Sequence, residues 1–208
     1  AEDADAIAWA EKALSVADRL EDASVIASAL EGLGLCWLGR DLARACDYLE
    51  QSLAMQREAG AGFRYASVCA NLGSVYSEQY RFADAERVLG EGIAYAAEHD
   101  LDRLQAFMEG WLALMWMHRG RWRDAVELAE RSLKRASSGQ LPAFVTLGLI
   151  GARRGEPTAN ETLQNALNIG LRLGNLQRLS LQRAACAEGA WLSGDVDQAR
   201  DHARALYD

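Results

Sequence analysis

Three histidines, His99, His118 and His202, and four cysteines, Cys36, Cys46, Cys69 and Cys186, hold most of the metal-ligating and nucleophilic capacity of this 208-residue chain. The cysteines show neither a Cys-x-x-Cys step nor Cys/His spacing, and each sits in an apolar helical pattern. They read as buried free thiols. The histidines lie far apart along the sequence, so a metal centre would need partners that no local spacing supplies. His118 with Glu109 and Arg119 forms a candidate polar cluster; the alternative is a helix-end histidine satisfied by solvent. Glu188 and Arg183 are five apart on one helix, too loosely placed for an acid/base pair. No serine lies in a nucleophile elbow, and no Gly-x-x-x-x-Gly-Lys-Ser/Thr loop is present to cradle phosphates. The sequence points away from an enzyme, with no cofactor and no metal expected.

Such side chains are positioned by a chain that reads as helical throughout. Half of its residues are hydrophobic, and only two prolines, Pro142 and Pro157, interrupt it. Abundant Ala, Leu, Arg and Glu lose little side-chain entropy in a helix. Six alanines, Ala6, Ala45, Ala85, Ala125, Ala159 and Ala199, recur at spacings of 39, 40, 40, 34 and 40, each followed four and seven positions later by another apolar or small residue. A fixed period of this kind means one supersecondary unit stacked on copies of itself. The pattern predicts eleven antiparallel helices in an all-α, right-handed α-α superhelix, with one repeat domain over 1–208. Its parts are a half-repeat at 1–20 and repeats at about 22–59, 61–98, 100–136, 138–173 and 175–207. Ala6, Ala10, Ala13, Leu14 and Ala17 form the expected buried stripe of the first helix, which has no preceding partner and should leave apolar surface at that end. Gly39 is expected as a left-handed C-cap with Asp41 capping the helix that follows, and Pro157 as a first-turn proline. Ser137 to Pro142 is the most loop-like stretch. Gly34, Gly73 and Gly148 sit inside helices, where each costs about 1 kcal/mol against alanine, so close helix crossings are the expected reason for them.

The net charge of −8, with only two lysines, Lys12 and Lys134, excludes a nucleic-acid surface, which needs clustered cations to release counterions. No apolar run approaches the roughly 18 residues of a spanning helix, and no charged segment followed by an apolar one opens the chain. No membrane partner and a reducing, cytoplasmic setting are expected. The chain starts at Ala1 directly in a helical pattern, which reads as a piece of a longer protein.

Leu33-Gly34 with Trp37, Leu72-Gly73 with Tyr76, and Gly120 through Ala125 resemble the tetratricopeptide repeat, with its Leu-Gly pair and aromatic on the first helix and its Gly-x-x-x-x-Ala turn into the second. The period is nearer 40 than the 34 of that repeat, its closing proline is missing, and Cys186-Ala187 stands where Leu-Gly is usual. The stretches from Glu91 to Arg103, Arg119 to Ala125 and Ala187 to Asp195 more narrowly resemble the repeat region of LuxR-type and MalT-like bacterial transcriptional regulators, which are signalling ATPases. That resemblance implies a sensor or interaction region, with ATPase and DNA-binding domains elsewhere in the parent chain. Family positions place Asn71, Ser74, Glu78, Phe107, Trp111, His118, Arg153 and Glu188 on a concave groove built by the first helix of each pair. Such a groove suits a protein segment or a small effector. Trp111, Trp116 and Trp191 either anchor a ligand there or fill gaps between helices. The alternative function is a structural spacer or a self-association scaffold forming a homodimer, without a ligand.

Overall fold

A computed structural model describes residues 2–59, 62–135, 141–173 and 179–206. Among them every regular element is helical: α1 (Glu2–Leu20), α2 (Ala23–Trp37), α3 (Leu42–Glu58), α4 (Phe63–Glu78), α5 (Phe82–Glu98), α6 (Asp102–His118), α7 (Trp122–Arg135), α8 (Leu141–Arg153), α9 (Ala159–Leu173), α10 (Leu179–Leu192) and α11 (Val196–Arg204). The all-α class and the helix order agree with the alanine period. The chain forms two compact units, Ala1–Leu104 and Gln105–Asp208. In the first, α1 packs on α2, α2 on α3, α3 on α4 and α4 on α5; in the second, α7 packs on α8, α8 on α9, and α10 on α8, α9 and α11.

The small residues have the role their positions suggest. A Cβ on Gly34 would lie 2.7 Å from Leu49 Cγ, one on Gly73 2.6 Å from Leu89 Cγ, and one on Gly148 2.6 Å from Leu163 Cγ. Each glycine thus admits a leucine of the second helix into its own backbone groove, the small-against-large packing of close helix crossings. At the same register the third repeat carries Ala113 on α6 and Ala129 on α7, both fully buried. Where the first helix has alanine, the second has shortened its leucine to match. Three residues beyond Ala129, Ser132 donates its Oγ to Ala106 O at 2.7 Å, and Ser52 repeats this on Ala27 O at 2.7 Å. A larger side chain could not approach the neighbouring backbone so closely.

The turns within the helix pairs are closed by backbone and ring contacts. Arg81, Arg121, Glu156 and Asp195 donate their N–H to the carbonyls of Tyr76, Trp116, Gly151 and Ala190, each at 2.9 Å. The residues just before them, Tyr80, Gly120, Gly155 and Gly194, have φ of 58°, 78°, 74° and 85°. This is the left-handed C-terminal cap, and Tyr80 adopts it at a cost of about 1–2 kcal/mol for a side-chain-bearing residue. Gly39 is not in that conformation, contrary to expectation. The first turn is closed instead by the Arg40 and Asp41 N–H groups on Trp37 O, both at 3.0 Å, and Asp41 caps α3 through the Arg44 N–H at 3.0 Å. An arginine then covers the aromatic of the first helix: Arg44 on Trp37 at 4.1 Å, Arg81 on Tyr76 at 4.1 Å and Arg121 on Trp116 at 4.2 Å from the ring centroid.

Three local expectations are corrected. The buried line of α1 runs through Ile7 and Ala17 with Ala10 and Leu14 half-buried, while Ala6 and Ala13 are exposed, because among the described residues α1 packs chiefly on α2 and presents the edge of its stripe. Trp9, Val16 and Leu20 remain exposed on it. Pro157 precedes α9 rather than entering its first turn, and Pro142 lies inside α8. Ser137 to Gln140, with Gly60 and Ala61, lie outside the described residues.

Cys46, Cys69 and Cys186 are buried and Cys36 half-buried, all as free thiols. Burial pushes the Cys69 thiol up to about 12 and that of Cys186 up to about 11. Since the thiolate is the nucleophile, brief maleimide treatment of the native protein should label Cys36 first and leave the other three untouched until urea opens the fold. Peptide mass spectrometry reads the order. Early labelling of Cys69 would contradict its burial.

Candidate functional site

The first helices of successive pairs carry the polar groups that an interaction surface needs. In the first unit, Glu31 is a lone acid in the apolar sequence of α2 and is buried. From α4, Ser67 Oγ donates to Glu31 Oε1 at 2.7 Å and Asn71 Nδ2 to the same oxygen at 3.1 Å, while Arg64 Nη1 lies 3.9 Å from Oε2. A buried carboxylate is tolerable only with such donors. Asn71 is therefore half-buried and committed across one repeat to Glu31. Ser74 is buried and returns its hydroxyl to Asn71 O at 2.8 Å, whereas Glu78 is exposed at the helix end.

In the second unit α8 packs on α10, and the contact carries a two-point ion pair. Arg153 Nε lies 2.6 Å from Glu188 Oε1, and Nη2 lies 3.2 Å from Oε2. Fork-to-fork geometry fixes both side chains, and it is the arrangement by which arginine recognises carboxylates in general. His118 of α6 feels both members. Partial burial pushes its imidazole below the ordinary histidine range, Arg153 pushes it further down, and Glu188 opposes. Phe107 and Trp111 meet edge to face with centroids 6.3 Å apart. Trp111 is buried and its Nε1 has no hydrogen-bond partner, so it supports this surface from beneath, while Trp191 is 66% exposed.

The structure thus brings Arg153, Glu188 and His118 together, pairs Phe107 with Trp111, and joins Asn71 to Ser74. It does not build the cluster of His118, Glu109 and Arg119. Glu109 is 2% exposed and takes Gln105 Nε2 at 3.1 Å, with Arg131 Nε at 3.6 Å and Arg135 Nε at 3.7 Å. Its cations come from α7. Glu31 is the residue that the repeat pattern passed over, although a single acid amid apolar neighbours was a visible signal for it. Among the described residues no group of three His, Cys, Asp or Glu side chains is placed to hold a metal ion, and no helix is long and apolar enough to cross a membrane.

Residues 66–99, most of α4 and all of α5, match the family model of the tetratricopeptide repeat. The fold is tetratricopeptide-like. The crystal structure of BtubC (BKLC) from P. vanneervenii is similar over 97% of this chain and 88% of that one, with a TM-score of 0.65 and 17% identity. A putative kinesin light chain of Podosopora anserina with nearly identical TPR-like repeats is similar over 88% of this chain and 94% of that one, at a TM-score of 0.58 and 17% identity. A single-substitution variant of that light chain is similar over 89% and 94%, at the same score and identity. At that identity the agreement is one of fold. No curated protein matches the sequence. A tetratricopeptide-like module of this kind is suited to protein interaction.

His118 makes the candidate surface sensitive to pH. A histidine whose native pKa is depressed binds fewer protons folded than unfolded, so its share of stability is complete above about pH 6.5 and lost as pH falls through that value toward the native pKa. His202 is lowered in the same way, by burial first and then by Arg183, with Asp201 opposing. Urea midpoints should fall between about pH 7.5 and pH 5, and His118→Gln with His202→Gln should flatten that fall. An unchanged slope would remove the two histidines from the account.

Proposed function

We propose that this chain is a non-catalytic module that binds a protein segment or a small effector on the first-helix face, as the sensor or interaction region of a bacterial transcriptional regulator. The observation that carries the binding assignment is the Arg153–Glu188 pair, held in two-point geometry at a helix crossing with the side chains 25% and 35% exposed. A carboxylate from a partner can replace Glu188 on the arginine fork, and a partner's cation can replace Arg153. Asn71 and Glu78 offer the corresponding polar edge in the first unit. The regulator context rests on the resemblance of the 91–103, 119–125 and 187–195 stretches; ATP and DNA would then be handled by other domains of the parent chain. The test is capture of partners by immobilised protein and by its Asn71→Ala, Arg153→Ala and Glu188→Ala variants, followed by titration of each captured species. Loss of binding in the variants supports the face, and full retention in all three overturns it.

A second reading, a self-association scaffold, is favoured by Trp9, Val16 and Leu20, which stay exposed on α1. Light scattering at rising concentration decides it. A dimer abolished by Trp9→Glu with Leu20→Glu would establish that use, and a persistent monomer would dismiss it.

A further inference from the structure

The aromatic of the first helix recurs as Trp37, Tyr76 and Trp116, and then fails: the fourth repeat has Gly151 at that register. The arginine that follows five residues later in the second and third repeats, Arg81 and Arg121, is replaced by Glu156. In the second repeat the position is filled from within. Tyr76 donates its hydroxyl to Glu50 of α3, the Arg81 guanidinium covers its ring at 4.1 Å, and these three residues with Leu72 line a recess of about 300 Å³. In the fourth repeat the equivalent recess, between α7 and α9 over α8, has grown to about 530 Å³. Its wall carries Leu147 at the register of Leu72 and Glu130 at the register of Glu50. Phe144, Ile150 and Val126 add apolar wall and Thr158 and Thr162 polar wall, and Glu156 and Arg154 stand at the rim with Oε1 and Nη1 3.9 Å apart. The Glu156 carboxylate reaches to 3.0 Å from where a Gly151 Cβ would stand, over the place that the ring takes in the other repeats. Glu156 is exposed, and its long side chain can swing aside.

The fourth repeat has kept the acceptor and an apolar wall while losing the aromatic, and the arginine at the register of Arg81 has become Glu156, with Arg154 beside it. We propose that the recess over Gly151 binds a tyrosine side chain of a partner segment, flanked by a basic residue, which restores in trans the Tyr76–Arg81 arrangement of the second repeat. The tyrosine hydroxyl donates to Glu130 in place of Tyr76 on Glu50. The flanking cation meets Glu156, at the register where the second and third repeats carry Arg81 and Arg121, and shares that carboxylate with Arg154. A chain with a net charge of −8 attracts such a basic segment at long range, and the volume falls within the roughly 300–1,000 Å³ of ligand clefts. This site lies on the second-helix side of its unit and is independent of the first-helix face proposed above.

The probe is the capped tetrapeptide Gly-Tyr-Arg-Gly, with Gly-Ala-Arg-Gly as its control, titrated into the isotope-labelled 208-residue protein and read by amide NMR shifts. Saturable shifts should centre on Gly151, Arg154 and Thr158 with the tyrosine peptide and be absent with the alanine one. Glu130→Gln combined with Glu156→Gln, both at exposed positions, should weaken binding about tenfold or more through lost charge-assisted bonds. Gly151→Tyr, which fills the recess from within, should abolish it. Asn71→Ala should leave it unchanged, so that failure here and failure of the first-helix face are separate results. Equal shifts with both peptides, or undiminished binding in the Glu130→Gln, Glu156→Gln protein, would overturn the proposal even if the Gly151→Tyr protein does not fold.

Discussion

Replacing Gly73 by alanine is expected to destabilise the first unit, although alanine is the better helix former. The substitution recovers about 1 kcal/mol of helix propensity. Against this, the new methyl would stand 2.6 Å from Leu89 Cγ, and Leu89 is fully buried with nowhere to retreat. With Leu89 Cδ2 closer still, the overpacking belongs to the upper part of the range, about 2–3 kcal/mol, so a net loss of about 1–2 kcal/mol is expected. Leu89→Ala alone should cost about 2–5 kcal/mol, because it deletes a buried leucine and leaves a cavity at the glycine. The double variant reproduces the pair that the third repeat already uses, Ala113 with Ala129. It should therefore lose less than the sum of the single changes by about 1 kcal/mol or more. Urea unfolding of the four proteins closes the cycle. Simple additivity would show that the crossing relaxes freely and that the Gly-Leu and Ala-Ala registers are not alternative solutions of one packing problem.

The glycine positions were legible in the sequence because a glycine inside a helix is costly and its recurrence at one register calls for a common cause. Which side chain fills the gap was not, since Leu49, Leu89 and Leu163 belong to the second helices and their rotation toward the first is set by packing. The same limit separates what was read of the surface from what was not. Periodicity put Arg153 and Glu188 on one kind of helix face, but their meeting depends on how α8 crosses α10. Glu109 was grouped with Arg119 because the two share a stretch of chain, whereas its cations stand on the antiparallel helix α7. Gly39 misled for a related reason. Its turn closes with a bond between residues four apart, Asp41 N–H on Trp37 O, where Arg121 on Trp116 and Asp195 on Ala190 are five apart, so the left-handed residue is not needed there. The α1 stripe shifted because α1 packs chiefly on α2, and one main neighbour fixes only the edge of an apolar face.

Glu109 should produce the other large effect, with an asymmetry that distinguishes a buried ion pair from a surface one. Its carboxylate is buried, with Gln105 Nε2 on Oε1 and no hydrogen bond to Oε2, where Arg135 Nε stands 3.7 Å away. The two arginines are different: the side chains of Arg131 and Arg135 are 60% and 30% exposed, so water already serves their outer faces. Removing both cations by Arg131→Gln with Arg135→Gln leaves the buried carboxylate without the positive charge it packs against, a change that costs about 3–5 kcal/mol. Removing the acid by Glu109→Gln keeps the shape and the Gln105 contact and leaves Arg131 and Arg135 with their outer faces already in water, for about 1 kcal/mol. Urea unfolding at neutral pH should rank the arginine variant as clearly the weaker fold, and added salt should narrow the difference little because the carboxylate is shielded from counterions. An exposed bridge would give losses below about 1 kcal/mol from either side and lose them in salt. Equal small losses would therefore mean that Glu109 reaches water, and that α6 is held to α7 by the Ser132–Ala106 contact and the surrounding apolar packing instead of by charge.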